Sequence, residues 1–253
     1  MVDYSLPTML FLGTAGFLAS FIDSVVGGGG LIGTPALMAT GIPVPYALGT
    51  GKINIIGTIT SFYTFFSSGK VDKQILRFMP ISMLAGALGA LTVNAIPEHI
   101  MRYIVVISLV IVAVYTFFRK DWGNAEREVL FSGQKKGLLA LAAAVLGYYD
   151  GFFGPGTGTF LIFVFLTFGF DFVRSAGNAK ALNLSSNIGS LIVFIATGKV
   201  ILLYALVMGF MQVIGARAGA KIAITKGARF VRPLFLVITT LLISKQVYEL
   251  FLK

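Results

Sequence analysis

One half of this chain is a loose copy of the other, and each copy places an acid and a lysine in sequence too apolar for water. The first copy carries Asp23, the glycine run 27–30, then Gly49-Thr50-Gly51-Lys52-Ile53-Asn54, then Gly69-Lys70-Val71. The second carries Asp150, then Gly154-Pro155-Gly156-Thr157-Gly158, then Gly177 with Lys180 and Asn183, then Gly198-Lys199-Val200. The spacing hardly drifts: 127 residues separate the aspartates, 128 the lysines and 129 the asparagines. A fold that suits one copy must suit the other, so the chain predicts two like halves arranged around matched charges.

Composition names the solvent. Of 253 residues, 57% are hydrophobic and 12% charged. A soluble domain carries about 25% charged residues. Half of that leaves too little polar surface to coat a globule, so the chain belongs in lipid. The formal charge of +10 invites a nucleic-acid reading. The basic residues, however, lie in short loops between apolar runs, where the positive-inside rule puts them, so no nucleic-acid partner is expected. With no cysteine, disulfides and thiolate metal sites are impossible, and a single histidine leaves little for a zinc site.

Enzymatic signatures fail on context. Gly28, Gly30 and Gly33 fit the spacing of a dinucleotide fingerprint, but no βαβ pattern surrounds them. Gly51-Lys52 is followed by Ile53, which excludes a P-loop, and no Gly-x-Ser-x-Gly elbow occurs. Neither an enzyme nor a bound cofactor is expected. The first segment opens with Asp3 and no basic region, so it is expected to be retained rather than cleaved as a signal.

Hydropathy predicts an all-α, polytopic integral membrane protein with about 8–10 membrane segments. In the first half they fall at 7–26, 31–40, 46–66, 74–95 and 101–118. In the second they fall at 137–149, 157–168, 175–196, 201–224 and 233–252. A crossing needs about 20 residues, so the glycine-flanked second segment of each half either tilts or re-enters. The expected units are a first repeat at 1–118, a cytoplasmic loop at 119–136 and a second repeat at 137–253. Lys70, Lys73 and Arg77 put one loop inside, whereas its counterpart carries only Lys199. Arg217, Lys221, Lys226, Arg229 and Arg232 oppose a first-half region holding Glu98 and Arg102. Equivalent loops thus face opposite sides, which predicts an inverted repeat with both termini outside.

Asp23 and Asp150 close the first segment of each half. A carboxylate at membrane depth costs about 2.5–3.5 kcal/mol on insertion scales, so each must pair, meet water or bind something. Capping of the following short helix is one reading. Carrying a coupling proton is another, because desolvation opposes the charged form. The breaks Gly28, Gly29, Gly30 and Gly156, Thr157, Gly158 open backbone N–H groups. Two interrupted helices meeting near the midplane would aim positive ends at one anion. Lys52 and Lys180 are the candidate cationic contacts, with Asn54, Asn183 and Asn187 beside them. The rival reading pairs the charges within each half, Asp23 with Lys52 and Asp150 with Lys180. Gly86, Gly89, Gly215 and Gly219 are read as close-packing positions between helices.

The pattern resembles the sulfite exporter TauE/SafE family of prokaryotic permeases, also called the toluene sulfonate uptake permease family. The resemblance is carried by Asp23-Ser-Val-Val-Gly-Gly-Gly-Gly-Leu-Ile-Gly-Thr-Pro35 and Gly49-Thr-Gly-Lys52. In the second half it is carried by Gly151-Phe-Phe-Gly-Pro-Gly-Thr-Gly-Thr-Phe160 and Ala179-Lys180-Ala-Leu-Asn183-Leu-Ser-Ser-Asn187, and Lys226-Gly-Ala-Arg229-Phe-Val-Arg232-Pro233 follows. It implies a multi-pass protein of the prokaryotic inner membrane that moves small sulfur oxyanions such as sulfite, sulfoacetate or sulfonates. It also implies seven to nine spans from a duplicated four-helix unit, which would make the halves parallel; the loop charges favour the inverted arrangement. The expected partners are a small anionic substrate and the lipid bilayer, with protons as the candidate coupling ion. The oligomeric state, monomer or homodimer, stays open. A passive anion channel and a non-transporting membrane scaffold are the alternative functions.

Overall fold

The computed structural model describes residues 2–93 and 133–226, with isolated positions between 95 and 111 and at 240, 244 and 248. Most of the expected segments 101–118 and 233–252, the loop 119–132 with Trp122, and Glu98, Arg102, Arg229, Arg232 and Pro233 lie outside the described residues. Among those described, the regular structure is entirely helical. The first half gives α1 (Leu6–Val26), α2 (Gly30–Met38), α3 (Val44–Gly51), α4 (Ile55–Ser67) and α5 (Met79–Val93). The second gives α6 (Gly133–Phe152), α7 (Thr157–Thr167), α8 (Phe172–Ala196) and α9 (Leu202–Lys226). α1, α8, α9 and the run Ile75–Val93 that ends in α5 are long and apolar enough to cross a membrane.

Local chemistry sets the helix ends. Pro7 sits in the first turn of α1, where its missing N–H is harmless. Gly27 ends that helix in the left-handed region at φ 77°, its N–H donating to the Asp23 carbonyl. Asp171 caps α8 by accepting from the amides of Val173 and Arg174 at 2.8 and 3.0 Å. Along α4, the hydroxyls of Thr58, Thr60 and Thr64 return to carbonyls four residues back, which satisfies them without water.

The segment expected at 46–66 is not one helix. It divides into α3, a 3-10 turn at Lys52–Asn54 and α4, whereas its counterpart α8 runs unbroken. One contributing difference is Gly51, which stands where the second half has Ala179, since glycine in a helix is worse than alanine by about 1 kcal/mol. The fourth segment of the first half likewise starts as a 3-10 turn, Ile75–Phe78, before α5. α6 is longer than expected, so Asp150 lies within its last turn rather than beyond it.

Contacts along each helix pair fix their relative directions. Tyr4 meets Tyr204, Gly16 meets Met208, and Gly215 and Gly219 meet Phe17 and Phe21, so α1 and α9 run parallel. Ser82 meets Gly147 and Gly86 meets Gly151, so α5 and α6 run parallel. The Ser185 hydroxyl donates to the Met79 carbonyl and Gly189 abuts that of Met83, which sets α8 parallel to α5. α3 and α4 cross α8 in the opposite sense, with Gly49 against Lys199 at one end and Gly177 against Lys70 at the other. The first helix of each half therefore leans on the last described long helix of the other half, α1 on α9 and α6 on α5. These interfaces are tight at the expected glycines: a Cβ on Gly86 would fall 2.4 Å from the Ser186 carbonyl oxygen, and one on Gly219 2.2 Å from that of Phe21.

The reciprocity reaches single bonds. Thr50 Oγ1 accepts from the Ile201 amide at 3.0 Å, and Asn178 Oδ1, in the equivalent place, accepts from the Asp72 amide at 2.8 Å. α2 and α7 are 9 and 11 residues long, too short to cross at 1.5 Å per residue. Each folds back along the helix before it: Gly29 and Gly33 lie against Ala19, and Phe160 packs on Tyr149.

Candidate functional site

Two interruptions, one per half, touch at the centre of this bundle. A Cβ on Gly27 would lie 2.2 Å from the Gly158 carbonyl carbon, and one on Gly158 would lie 2.6 Å from Gly27 Cα. Only glycine allows that approach at either position. Thr159 closes the junction, its amide donating to the Gly27 carbonyl at 3.1 Å and its hydroxyl to that of Val26 at 2.9 Å. Gly30 lies against Pro155.

The charges pair across the halves, not within them. Lys52 Nζ donates to Asp150 Oδ1 at 3.1 Å and also to the Asp150 carbonyl. Lys180 Nζ donates to Asp23 Oδ2. The within-half pairs, Asp23 with Lys52 and Asp150 with Lys180, are thereby corrected. The reason is directional: the first helix of each half packs against helices of the other and delivers its acid there. All four side chains are buried, with relative exposure of 1–5%.

Both acids sit in the last turn of a helix, the end where the peptide dipole opposes negative charge. A paired lysine compensates that placement as well as the burial. Beyond this the two acids differ. Asp150 Oδ2 also accepts from Asn183 Nδ2 at 3.3 Å, Asn187 Nδ2 at 3.0 Å and the Ser186 hydroxyl. Asp23 has, besides its lysine, the Gly29 amide at 3.3 Å. Capping holds in part for Asp23, which accepts from the amide of Gly29, the N-cap of α2; the bonds of the Asp150 carboxylate go to Lys52 and α8 instead.

Between the breaks lies a cavity of about 40 Å³, room for one or two waters. Asp23, Lys52, Asn54 and Asp150 line it, with Asn183 and Asn187. The backbone of Gly29, Gly30 and Gly158 contributes from both breaks. Gly28, Gly156, Thr157 and Lys180 stand behind this lining rather than in it. Thr157 directs its amide and hydroxyl to the Gly154 carbonyl, and Lys180 is turned to Asp23. The sequence reading missed Gln212, which also lines the cavity and is 2% exposed. Its signal was present: it is the one amide in the apolar run 202–216. Arg217, one turn further along, is exposed on α9 and faces away from the cavity into a cleft beside α4.

Comparison with known proteins gives a consistent picture. The profile of the family described as Sulfite exporter TauE/SafE matches residues 12–245. The chain is 34% identical over 251 residues to a "Probable membrane transporter protein" of Haemophilus influenzae, covering 98% of both chains. It is 36% identical over 252 residues to the "Probable membrane transporter protein YfcA" of Escherichia coli, covering 98% of this chain and 92% of that one. It is 34% identical over 242 residues to the "Probable membrane transporter protein ORF9" of a Sinorhizobium species, covering 94% and 92%. No solved structure matches the chain.

Proposed function

The chain belongs to the sulfite exporter TauE/SafE family, a family of multi-pass membrane transporters, and from that premise we propose a carrier for small sulfur oxyanions. The observation that carries this reading is the pair of ion pairs joining the halves around one cavity. An oxyanion competes with Asp23 and Asp150 for Lys52 and Lys180. Taking the lysines loosens the two ties between the halves, so binding and movement are coupled. Asn183 and Asn187 are placed to hold a freed Asp150, and the backbone of Gly29, Gly30 and Gly158 to approach the anion closely.

The cavity, at about 40 Å³, would have to widen to admit a sulfite-sized anion, which supports alternating access over an open pore. The proposed repeat is inverted, with units at 1–118 and 137–253 joined by 119–136. It is supported by the opposed directions of equivalent helices: α1 against α6, α4 against α8, α5 against α9. Orientation follows from charge. Lys70, Lys73, Arg77, Lys135, Lys136, Arg174 and Lys226 fall at the end where α4 and α9 finish and α5, α6 and α8 begin. That end is the cytoplasmic one, and the N-terminus is outside.

The test is sulfite uptake and counterflow in proteoliposomes. Lys52→Gln with Lys180→Gln should reduce flux at least tenfold. Unchanged flux would remove the lysines from the mechanism, and single-channel currents in place of saturable counterflow would replace the carrier with a channel.

A further inference from the structure

The centre of the molecule holds three polar oxygens that its own hydrogen bonds leave over. Ser20 Oγ on α1, Asn54 Oδ1 at the start of α4 and Gln212 Oε1 on α9 are all buried without a hydrogen-bond partner. An unsatisfied buried acceptor costs roughly 1–3 kcal/mol, so three in one neighbourhood need a reason. They are in one neighbourhood. A Cβ on Gly57 would lie 2.1 Å from Ser20 Oγ and 3.3 Å from Gln212 Cβ, so these two side chains meet over that glycine. Asn54 precedes Gly57 by one turn, and Asn54 and Gln212 both line the central cavity. Asp23, one turn beyond Ser20 on α1, lines it too.

We infer that Ser20, Asn54 and Gln212 form a binding site for a small monovalent cation, sodium by ligand chemistry, beside the oxyanion position. The orphaned atoms are two amide carbonyl oxygens and a hydroxyl, which are hard, neutral donors of the kind an alkali cation takes. A carboxylate- or imidazole-rich cage for a divalent ion is missing: no group of three such side chains occurs among the described residues. The 3-10 turn at Lys52–Asn54 brings irregular backbone to the site as well.

The site has no twin. In the other half Gly147 stands where Ser20 would recur and Met83 where Gln212 would, at separations of 127 and 129 residues. Its polar groups, Asn183, Ser186 and Asn187, are all engaged with Asp150. Charge supplies the purpose, and this step rests on the oxyanion reading above. Asp23, Asp150, Lys52 and Lys180 cancel, so an incoming anion leaves a buried negative charge uncompensated. A sodium ion at the three oxygens restores neutrality, which makes the cation a co-substrate carried with the anion.

The experiment uses the purified full chain in detergent and follows thermal unfolding in NaCl or choline chloride at fixed pH and ionic strength. Without any oxyanion, NaCl should raise the Tm saturably and choline chloride should not. Ser20→Ala, which removes one oxygen, and Gln212→Met, which keeps the length but not the amide, should each weaken half-saturation at least tenfold. Sulfite should bind at least tenfold tighter with sodium present. Equal Tm in the two salts, or variants that respond as the unaltered chain does, would overturn the site. Sulfite binding that ignores sodium would overturn the coupling and leave the oxyanion reading intact. Stabilisation by sodium with no response to any oxyanion would keep the site and sink that reading instead.

Discussion

Asp23 and Asp150 occupy equivalent places in unlike company, and that difference predicts unequal consequences. Removing one partner of a buried ion pair costs about 3–5 kcal/mol when the remaining charge has nothing else. Without Lys180, Asp23 would retain only the Gly29 amide. Without Lys52, Asp150 would keep three donors, from Asn183, Ser186 and Asn187. Lys180→Met should therefore destabilise the fold by about 3–5 kcal/mol, and Lys52→Met by appreciably less. Adding Asp23→Asn to Lys180→Met should recover much of the loss, because no lone charge then stays buried. Thermal unfolding of the purified variants measures this; equal losses for the two lysines would show that the neutral donors around Asp150 contribute little.

At the scale of elements, helix approach distance decides which glycines matter. α1 presents Gly13 and Gly16 to α9, one turn apart. A Cβ on Gly16 would sit 2.9 Å from the Met208 carbonyl oxygen and 3.0 Å from its Cα, and backbone cannot yield as a side-chain tip can. A Cβ on Gly13 would meet Met211 Cγ at 3.5 Å and Val207 Cγ1 at 3.7 Å, which is ordinary contact. Gly16→Ala should therefore destabilise by roughly 1–3 kcal/mol through overpacking. Gly13→Ala should be neutral or stabilising by about 0.5–1 kcal/mol, because alanine favours the helix. A reversed order in melting temperature would mean that α1 and α9 approach elsewhere. Helix propensity acts beside approach distance: Gly51 weakens the α3–α4 run where Lys52 reaches across to Asp150, and Ala179 favours the continuation of α8 past Lys180.

At the scale of the whole molecule, the proposed inverted arrangement makes a prediction that needs no substrate. The loops after α4 and after α8 are equivalent in sequence, and Ser68 and Thr197 are exposed at their starts. The chain has no cysteine, so a single one introduced at either place reports alone. In intact cells a membrane-impermeant maleimide should label Thr197→Cys from outside. It should reach Ser68→Cys only after permeabilisation. Labelling of both from one side would make the halves parallel and would undo alternating access about a shared axis.

Hydropathy alone placed the chain in lipid, because too few charges remain to coat a soluble surface. The repeat marked out the two glycine breaks and their charged companions as one neighbourhood, and glycine is legible there because nothing larger lets two backbones touch. The family resemblance was equally legible in the residues around those breaks. The partners were not. Lys52 and Asp150 are 98 residues apart and Lys180 and Asp23 are 157 apart, and spacing along a chain says nothing about which buried charges meet. Ser20 and Gln212 were hidden for the same reason: a lone serine or glutamine in an apolar helix has no local pattern, and only the packing of α1, α4 and α9 brings both side chains to Gly57. Sequence thus determined the solvent, the duplication and the residues at the centre, since each follows from local composition and repetition. Tertiary structure decided who pairs with whom, because the halves exchange their first helices and so carry each acid to the other half's lysine.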